Sequence, residues 1–493
     1  MAELQMLAAD YGASSGRVML GSYNGCRIEL SEIHRFTNDP VILGKKNGNV
    51  MYWDFLRLFH ELKNGILKSK AYGMPISIGV DTWGVDYGLL DADGCLLSNP
   101  IHYRDGRTEG MLQEAFGQID RERFYEITGN QFMEINTVFQ LMADVRQRPG
   151  LLKLAKRLLL MPDLFNYFLS GEMAAEYTEA STTQMLDAKK KCWSGEVLEA
   201  LSLPGQLLPE IVMPGTLLGK MRGSLEEELG VRNLKVAAVA GHDTQSAMAA
   251  VPAKAENFIF LSCGTWSLFG TELDAPVISD ASYRYNVTNE GGCCEKTSFL
   301  KNIIGLWLIQ ESRRQWAREG IQYDFGQLEA MATKEKPFLA VIDPDAPEFV
   351  PAGNVPERIR EYCRRTSQAV PESVGAVVRC IDESLALKYR SVLEEIQSCT
   401  GRKYEAVHLV GGGAQSALLC QMTANACGIP VYAGPIEATV YGNLSMQLMA
   451  AGEVHSLREI REIVGNSEKI KAYFPMDTDA WQMAWEKSKK VLG

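Results

Sequence analysis

The chain has 493 residues, 46% of them hydrophobic and 23% charged, with a formal net charge of −11. That length exceeds the roughly 250–300 residues at which a single core stops growing, so two large domains are expected and disorder is not. An acidic balance opposes roles built on attraction to nucleic-acid or membrane phosphate, so a small-molecule partner fits better, and any phosphate must be held locally by backbone N–H groups.

The opening run from Met1 to Asp10 has no basic segment and too short an apolar core for a signal peptide. No later stretch reaches spanning length, so a cytoplasmic protein with neither membrane nor nucleic-acid partners is expected. The eleven cysteines are odd in number and show no CxxC pairs, which suits reduced thiols rather than zinc. Residues 6–23 read as strand, small-residue turn and strand, a hairpin with Asp10 at its mouth. A second strand, 76–80, runs into Asp81, Trp83, Gly84 and Asp86. There an aromatic face and acceptors suit a sugar, and an ordinary strand end would look the same.

From about 110 to 235 the pattern turns helical, with apolar spacing of three and four over 152–160 and 164–169, ahead of Gly171. Residues 236–240 then predict a small-residue strand delivering Gly241, His242, Asp243 and Thr244. The strand, turn and strand grammar returns at 258–270, which suggests two halves of related architecture. Five prolines over 337–356 predict a surface connection. A long helix over 371–399, a strand over 406–410, the loop Gly411-Gly412-Gly413 and helices to the C-terminus complete an α/β pattern.

Three loops suit phosphate. The first holds Asp10, Ser14, Ser15, Gly16 and Arg17, but no GxxxxGK[ST], so it is not a P-loop. The second holds Ser262, Gly264 and Thr265, and the third is the triple-glycine loop before a helix, where the dipole favours anions. Asp243 follows an apolar strand and has two readings. Either it caps the next helix, or it is the carboxylate that accepts a hydroxyl proton during phosphoryl transfer.

Taken together, Gly12 to Leu20, Asp81 to Asp86, Met161-Pro162-Asp163, His242-Asp243-Thr244, Gly264-Thr265-Trp266, Thr288 to Gly292, Lys301-Asn302-Ile303 and Val410 to Gly413 resemble the FGGY carbohydrate kinases almost end to end. The resemblance implies a two-domain actin-like ATPase fold, with RNase H-like sheets flanking a cleft. The domains are expected over 1–242, binding mainly sugar, and 243–493, binding mainly ATP, with the last helices packing back on the first domain. It implies ATP- and Mg²⁺-dependent phosphorylation of a ketose at O1. L-Rhamnulose is the expected ketose, L-fuculose or D-xylulose the alternatives, and a sugar sensor without turnover the remaining reading.

Carried over residue by residue, Asp243 is the base, and Gly84, His242, Asp243, Thr244 and Asn302 contact sugar. Ala13, Ser14, Ser15, Gly16, Arg17, Thr265, Gln310 and Gly412 contact ATP, and Asp10 holds Mg²⁺ directly or through water. A monomer or small homo-oligomer is expected. Tyr11, Cys263 and the pair Cys293 and Cys294 depart from the family pattern, the thiols raising the question of redox sensitivity. The resemblance also allows a bridge between Cys363 and Cys380.

Overall fold

The computed structural model describes residues 3–46 and 48–492. The chain forms two compact units, the first from Met1–Pro252, Glu272–Phe299 and Ala438–Ser467, the second from Ala253–Thr271, Leu300–Glu437 and Glu468–Gly493. The chain therefore leaves the first unit after Pro252, not at 242/243. The helix Asp243–Ala249 stays with the strand Lys235–Ala238 that feeds it, because the helix Ala438–Ala450 packs against it. That packing is backbone to backbone: a Cβ on Gly442 would stand 1.8 Å from the Ser246 carbonyl oxygen.

The first unit is organised on a six-stranded sheet ordered Thr216–Lys220, Lys235–Ala238, Ser77–Thr82, Leu4–Tyr11, Ser15–Tyr23, Ile28–Thr37. Leu4–Tyr11 and Ser15–Tyr23 form the expected hairpin, in register Asp10 opposite Arg17. Leu4–Tyr11 also pairs in parallel with Ser77–Thr82, placing Asp10 opposite Asp81. The central strands are buried on both faces, which is why they read as continuous apolar runs rather than alternating ones. The helix Phe55–Ser69, capped by Asp54, lies over the hairpin at Gly65, where a Cβ would meet Val18 at 2.4 Å. Tyr11 is fully buried, stacks on Phe165 and donates its hydroxyl to the Leu58 carbonyl.

The second unit repeats the grammar. Ile259–Cys263 pairs antiparallel with the strand that begins at Trp266 and parallel with Val407–Val410, which pairs in parallel with Val431–Ala433. The repeated hairpin is thus a repeat of sheet topology: in both cases a meander's first strand is the parallel neighbour of a strand leading to a loop of interest. The long helix Val374–Thr400 buries Tyr389 at this sheet, its hydroxyl 2.7 Å from Ser267 Oγ.

Three local expectations differ from the structure. Residues 152–160 are not one helix: Pro149–Leu154 is helical, and Arg157–Leu160 is a strand paired with Tyr87–Leu90. The proline-rich stretch is no surface connection, since Ala340, Val341, Ile342 and Phe349 are buried. Gln368 brackets the Val341 backbone with two hydrogen bonds, and Lys388 takes Asp343 and Asp345. The C-terminal segment contains a strand, Lys471–Tyr473, that its helical pattern conceals. All eleven cysteines, including the buried Cys363 and Cys380, are free thiols. No helix among the described residues is long and apolar enough to cross a membrane.

Candidate functional site

In the first unit the strand Lys235–Ala238 ends in buried small residues, and the Thr82 amide donates to the Gly241 carbonyl. This bridge sets His242, Asp243 and Thr244 beside Gly84, where an added Cβ would lie 3.5 Å from His242 Cδ2. Asp243 opens the helix Asp243–Ala249, but His242 occupies the cap position and no side chain caps the helix. Capping therefore does not account for Asp243. Thr244 Oγ1 donates to its Oδ1 at 3.2 Å. Burial, with the Asp10 charge reinforcing it and His242 opposing, pushes the Asp243 carboxyl up to about 6. The side chain keeps 32% of its surface exposed, so water in the recess moderates that rise.

His242 is buried, with Nδ1 3.2 Å from Glu290 and Nε2 3.6 Å from Asp243 Oδ1. Burial opposes its charged form, but Glu290 and Asp243 outweigh that and raise its pKa. Glu290 also accepts from Gln245, whose own oxygen accepts from Ser298, so the ring is braced from behind. Glu176 does the same for the backbone: it accepts from the amides of Thr178, Glu179 and Gly241, fixing the residue before His242. The sequence reading assigned neither role; the Glu-x-Thr start of the helix Tyr177–Ala180 was the one available signal for Glu176.

Trp83, Asp81 and Asp86 do not line an open sugar pocket. Asp86 is sealed, accepting from the indoles of Trp53 and Trp83, the Tyr103 amide and Gln140. Trp83 lies in the core, its ring centroid 3.9 Å from that of Trp53 and its plane tilted 31° to it. Asp81 is fully buried: Oδ2 accepts from Asn443 at 2.6 Å and Oδ1 has no partner. Burial, then the charges of Asp10 and Asp243, raise its carboxyl well above the ordinary range against the pull of the Asn443 hydrogen bond. Between Gly84 and Asp86, Val85 adopts φ 74°, strained for a β-branched residue and held by Thr137, Gln140 and Thr182.

Asp10 and Arg17 pair across the first hairpin, Arg17 Nε and Nη2 both donating to Oδ2 at 3.0 and 2.7 Å. Arg17 is thus not an unopposed positive charge. Between them the turn is drawn tight by Gly12 N to Ser15 O, and Asn38 pins it by donating to Gly12 O and to Ser14 O. Gly16 is required, because a Cβ there would stand 2.3 Å from the Phe36 ring. Ser14 is exposed at this turn with Ala13 and Ser15 half-buried on either side, and the amides of Ala13 and Ser14 donate to no acceptor among the described residues. Successive amides of this kind are able to donate to an anion. No group of three His, Cys, Asp or Glu side chains suited to a metal occurs among the described residues. With Oδ2 taken by Arg17, Asp10 could offer an ion such as Mg²⁺ little more than its remaining oxygen, and the ion would have to keep most of its water and phosphate ligands.

In the second unit the turn after Ile259–Cys263 is locked against the junction before the helix Trp307–Arg318. The amides of Gly305 and Trp307 donate to Thr265 O, and a Cβ on Gly305 would collide with the Trp266–Ser267 backbone. This brings Gln310 Oε1 within 3.2 Å of Thr265 Oγ1. Gln310 and Gly412 line one cavity of about 380 Å³. Gly411 takes φ 81°, and Gly413 meets Cys263, whose Sγ would be 2.3 Å from a Cβ. Cys263 is thus a packing residue; burial pushes its thiol to about 11, and burial also raises Cys293 and Cys294. Asn302 is half-buried on the strand Thr297–Ile304, in the second unit.

Comparison with known proteins gives one answer. Residues 5–250 match the N-terminal domain of the FGGY family of carbohydrate kinases and residues 259–451 its C-terminal domain. A rhamnulokinase of Bacteroides thetaiotaomicron is 42% identical over 97% of this chain and 97% of its own length. One of Halalkalibacterium halodurans is 42% identical over 96% of this chain and 99% of its own length. Among solved structures, a ligand-bound xylulose kinase from Lactobacillus acidophilus superposes with a TM-score of 0.81 at 17% identity, covering 99% of this chain and 97% of that one. The α/β fold, with two sheet-based domains of the actin-like ATPase kind, is shared with such kinases.

Proposed function

The chain belongs to the FGGY family of carbohydrate kinases, and on that premise we propose that it phosphorylates L-rhamnulose at O1 using ATP, with Asp243 as the base. The observation that carries the reading is Asp243 itself. It is a carboxylate that caps nothing, sits at the end of a buried strand between His242 and Thr244, and has a pKa pushed to about 6, where it is ionised yet basic at neutral pH.

In this mechanism Asp243 takes the proton from the O1 hydroxyl, and Thr244 holds Oδ1 while the other oxygen faces the substrate. His242, whose charged form Glu290 favours, lies 3.6 Å from Asp243 Oδ1 and favours the ionised carboxylate. Gly84 leaves room for the sugar against the imidazole. The turn from Ala13 to Gly16 receives phosphate on its amides, and Thr265, Gln310 and Gly412 hold the nucleotide. Bound ATP supplies the phosphoryl group, and Asp10 would hold Mg²⁺, directly or through water, where its charge would offset that of the phosphates.

The test is a ketose panel of L-rhamnulose, L-fuculose and D-xylulose with ATP and Mg²⁺, products identified by mass spectrometry. The reading requires the highest kcat/KM on L-rhamnulose, a 1-phosphate product, and loss of turnover in Asp243→Ala with the fold retained. A preference for another ketose corrects the substrate alone. Near-normal turnover in the variant removes Asp243 from the base role.

A further inference from the structure

The second unit's cavity is walled by Leu306, Ile309, Phe325, Val378 and Leu419. Its volume of about 380 Å³ lies in the range of small-molecule sites, whose walls are mostly apolar with a few placed polar groups. One of those groups is Asp382, one helical turn after Val378 on Val374–Thr400 and so on the same face. Asp382 is 3% exposed and makes no hydrogen bond or ion pair among the described residues. An acid buried without a partner costs free energy unless something else completes it.

The groups around it cannot do so. Arg379 is engaged by Glu383 at 2.8 Å, and Glu329, which also lines the cavity, accepts from the Leu418 amide. Burial, then the charges of Glu329 and Glu383, push Asp382 up to about 8 against the pull of Arg379. At neutral pH it is a carboxylic acid, with one O–H donor and one carbonyl acceptor side by side. A planar heterocycle with the complementary pair, an amino donor next to a ring-nitrogen acceptor, matches both the apolar walls and the acid. Adenine has that pair in its 6-amino group and the adjoining ring nitrogen.

Resting on the nucleotide reading above, we propose that Asp382 reads the nucleobase of the phosphoryl donor, accepting from the 6-amino group of adenine and donating to the ring nitrogen beside it. The residue determines donor specificity and takes no part in the chemistry at Asp243. The test is calorimetric binding to the full-length protein of ADP and of purine riboside 5′-diphosphate, which lacks the amino group. Wild type should bind ADP roughly 10- to 100-fold tighter, the consequence of leaving a buried acceptor unpaired. Asp382→Leu should bind the two alike. Asp382→Asn, which keeps a donor and an acceptor on the same skeleton, should retain the preference.

Equal binding of the two ligands by wild type, or an undiminished preference in Asp382→Leu, overturns the proposal while leaving the kinase reading intact. Should the leucine variant fail to fold, the wild-type comparison and the asparagine variant decide. Failure of wild type to bind ADP at all overturns both readings, and the ketose panel then shows the same failure independently.

Discussion

Replacing Asp243 by Asn should abolish turnover and stabilise the fold, and the second effect depends on pH in a direction set by the structure. Burial raises the carboxyl from 3.8 to about 6, so the folded state prefers the protonated acid. Below pH 3.8 both folded and unfolded chains carry the proton and there is no penalty. Above about pH 6 both have lost it, and the folded state bears the full cost of the buried charge. A shift of about two units corresponds to about 3 kcal/mol. The 32% exposure of the side chain reduces this to roughly 1–2 kcal/mol. Asparagine keeps the shape and can still accept from Thr244 while removing the charge. Melting followed by circular dichroism should show Asp243→Asn unfolding about 2–6 °C above wild type at pH 8, with the difference gone near pH 4. The same variant should lose at least about 100-fold in kcat. Equal melting temperatures at pH 8, or a gain that persists at pH 4, would refute the burial argument.

The rate itself should report the same group: log kcat/KM should rise with unit slope through about pH 6, because Asp243 must be ionised to accept a proton, and a flat profile over pH 5–7 contradicts it. Asn443→Leu removes the one side-chain donor to buried Asp81 among the described residues and should cost about 1–3 kcal/mol in urea denaturation; an unchanged midpoint would mean Asp81 does not need that bond. Gly442→Ala forces the helix Ala438–Ala450 off the Ser246 backbone and should destabilise by more than about 3 kcal/mol while lowering kcat, since the helix it presses against, Asp243–Ala249, carries Asp243; wild-type stability would show that the two helices slide freely. Asn38→Ala unpins the first turn at Gly12 and should weaken ATP binding, measured by calorimetry, roughly tenfold while leaving L-rhamnulose binding within about twofold.

Periodicity and turn chemistry made the two hairpins, the strand leading to His242 and the stop at Gly171 legible in the sequence, because each is decided within about ten residues. The motif set also identified the family and singled out Asp243. Yet the sequence left Asp243 between cap and base, and only the structure, with His242 in the cap position, removed the cap. It likewise placed both Asp243 and Asp86 at strand ends, with Asp86 offered to a sugar pocket. Indoles from Trp53 and Trp83 and the amide of Gln140 seal one into the core, whereas the other keeps a third of its side chain open. Glu290 and Asp382 carry no local signature of these roles, and Glu176 shows only the Glu-x-Thr start of a short helix, as their meaning lies in what distant segments place against them. Gly442 reads as an ordinary helix residue until the backbone of Ser246 lies where its Cβ would be. Local sequence sets which elements form, but burial and charge at a side chain are sums over partners remote in the chain, and those sums exist only once the units have packed.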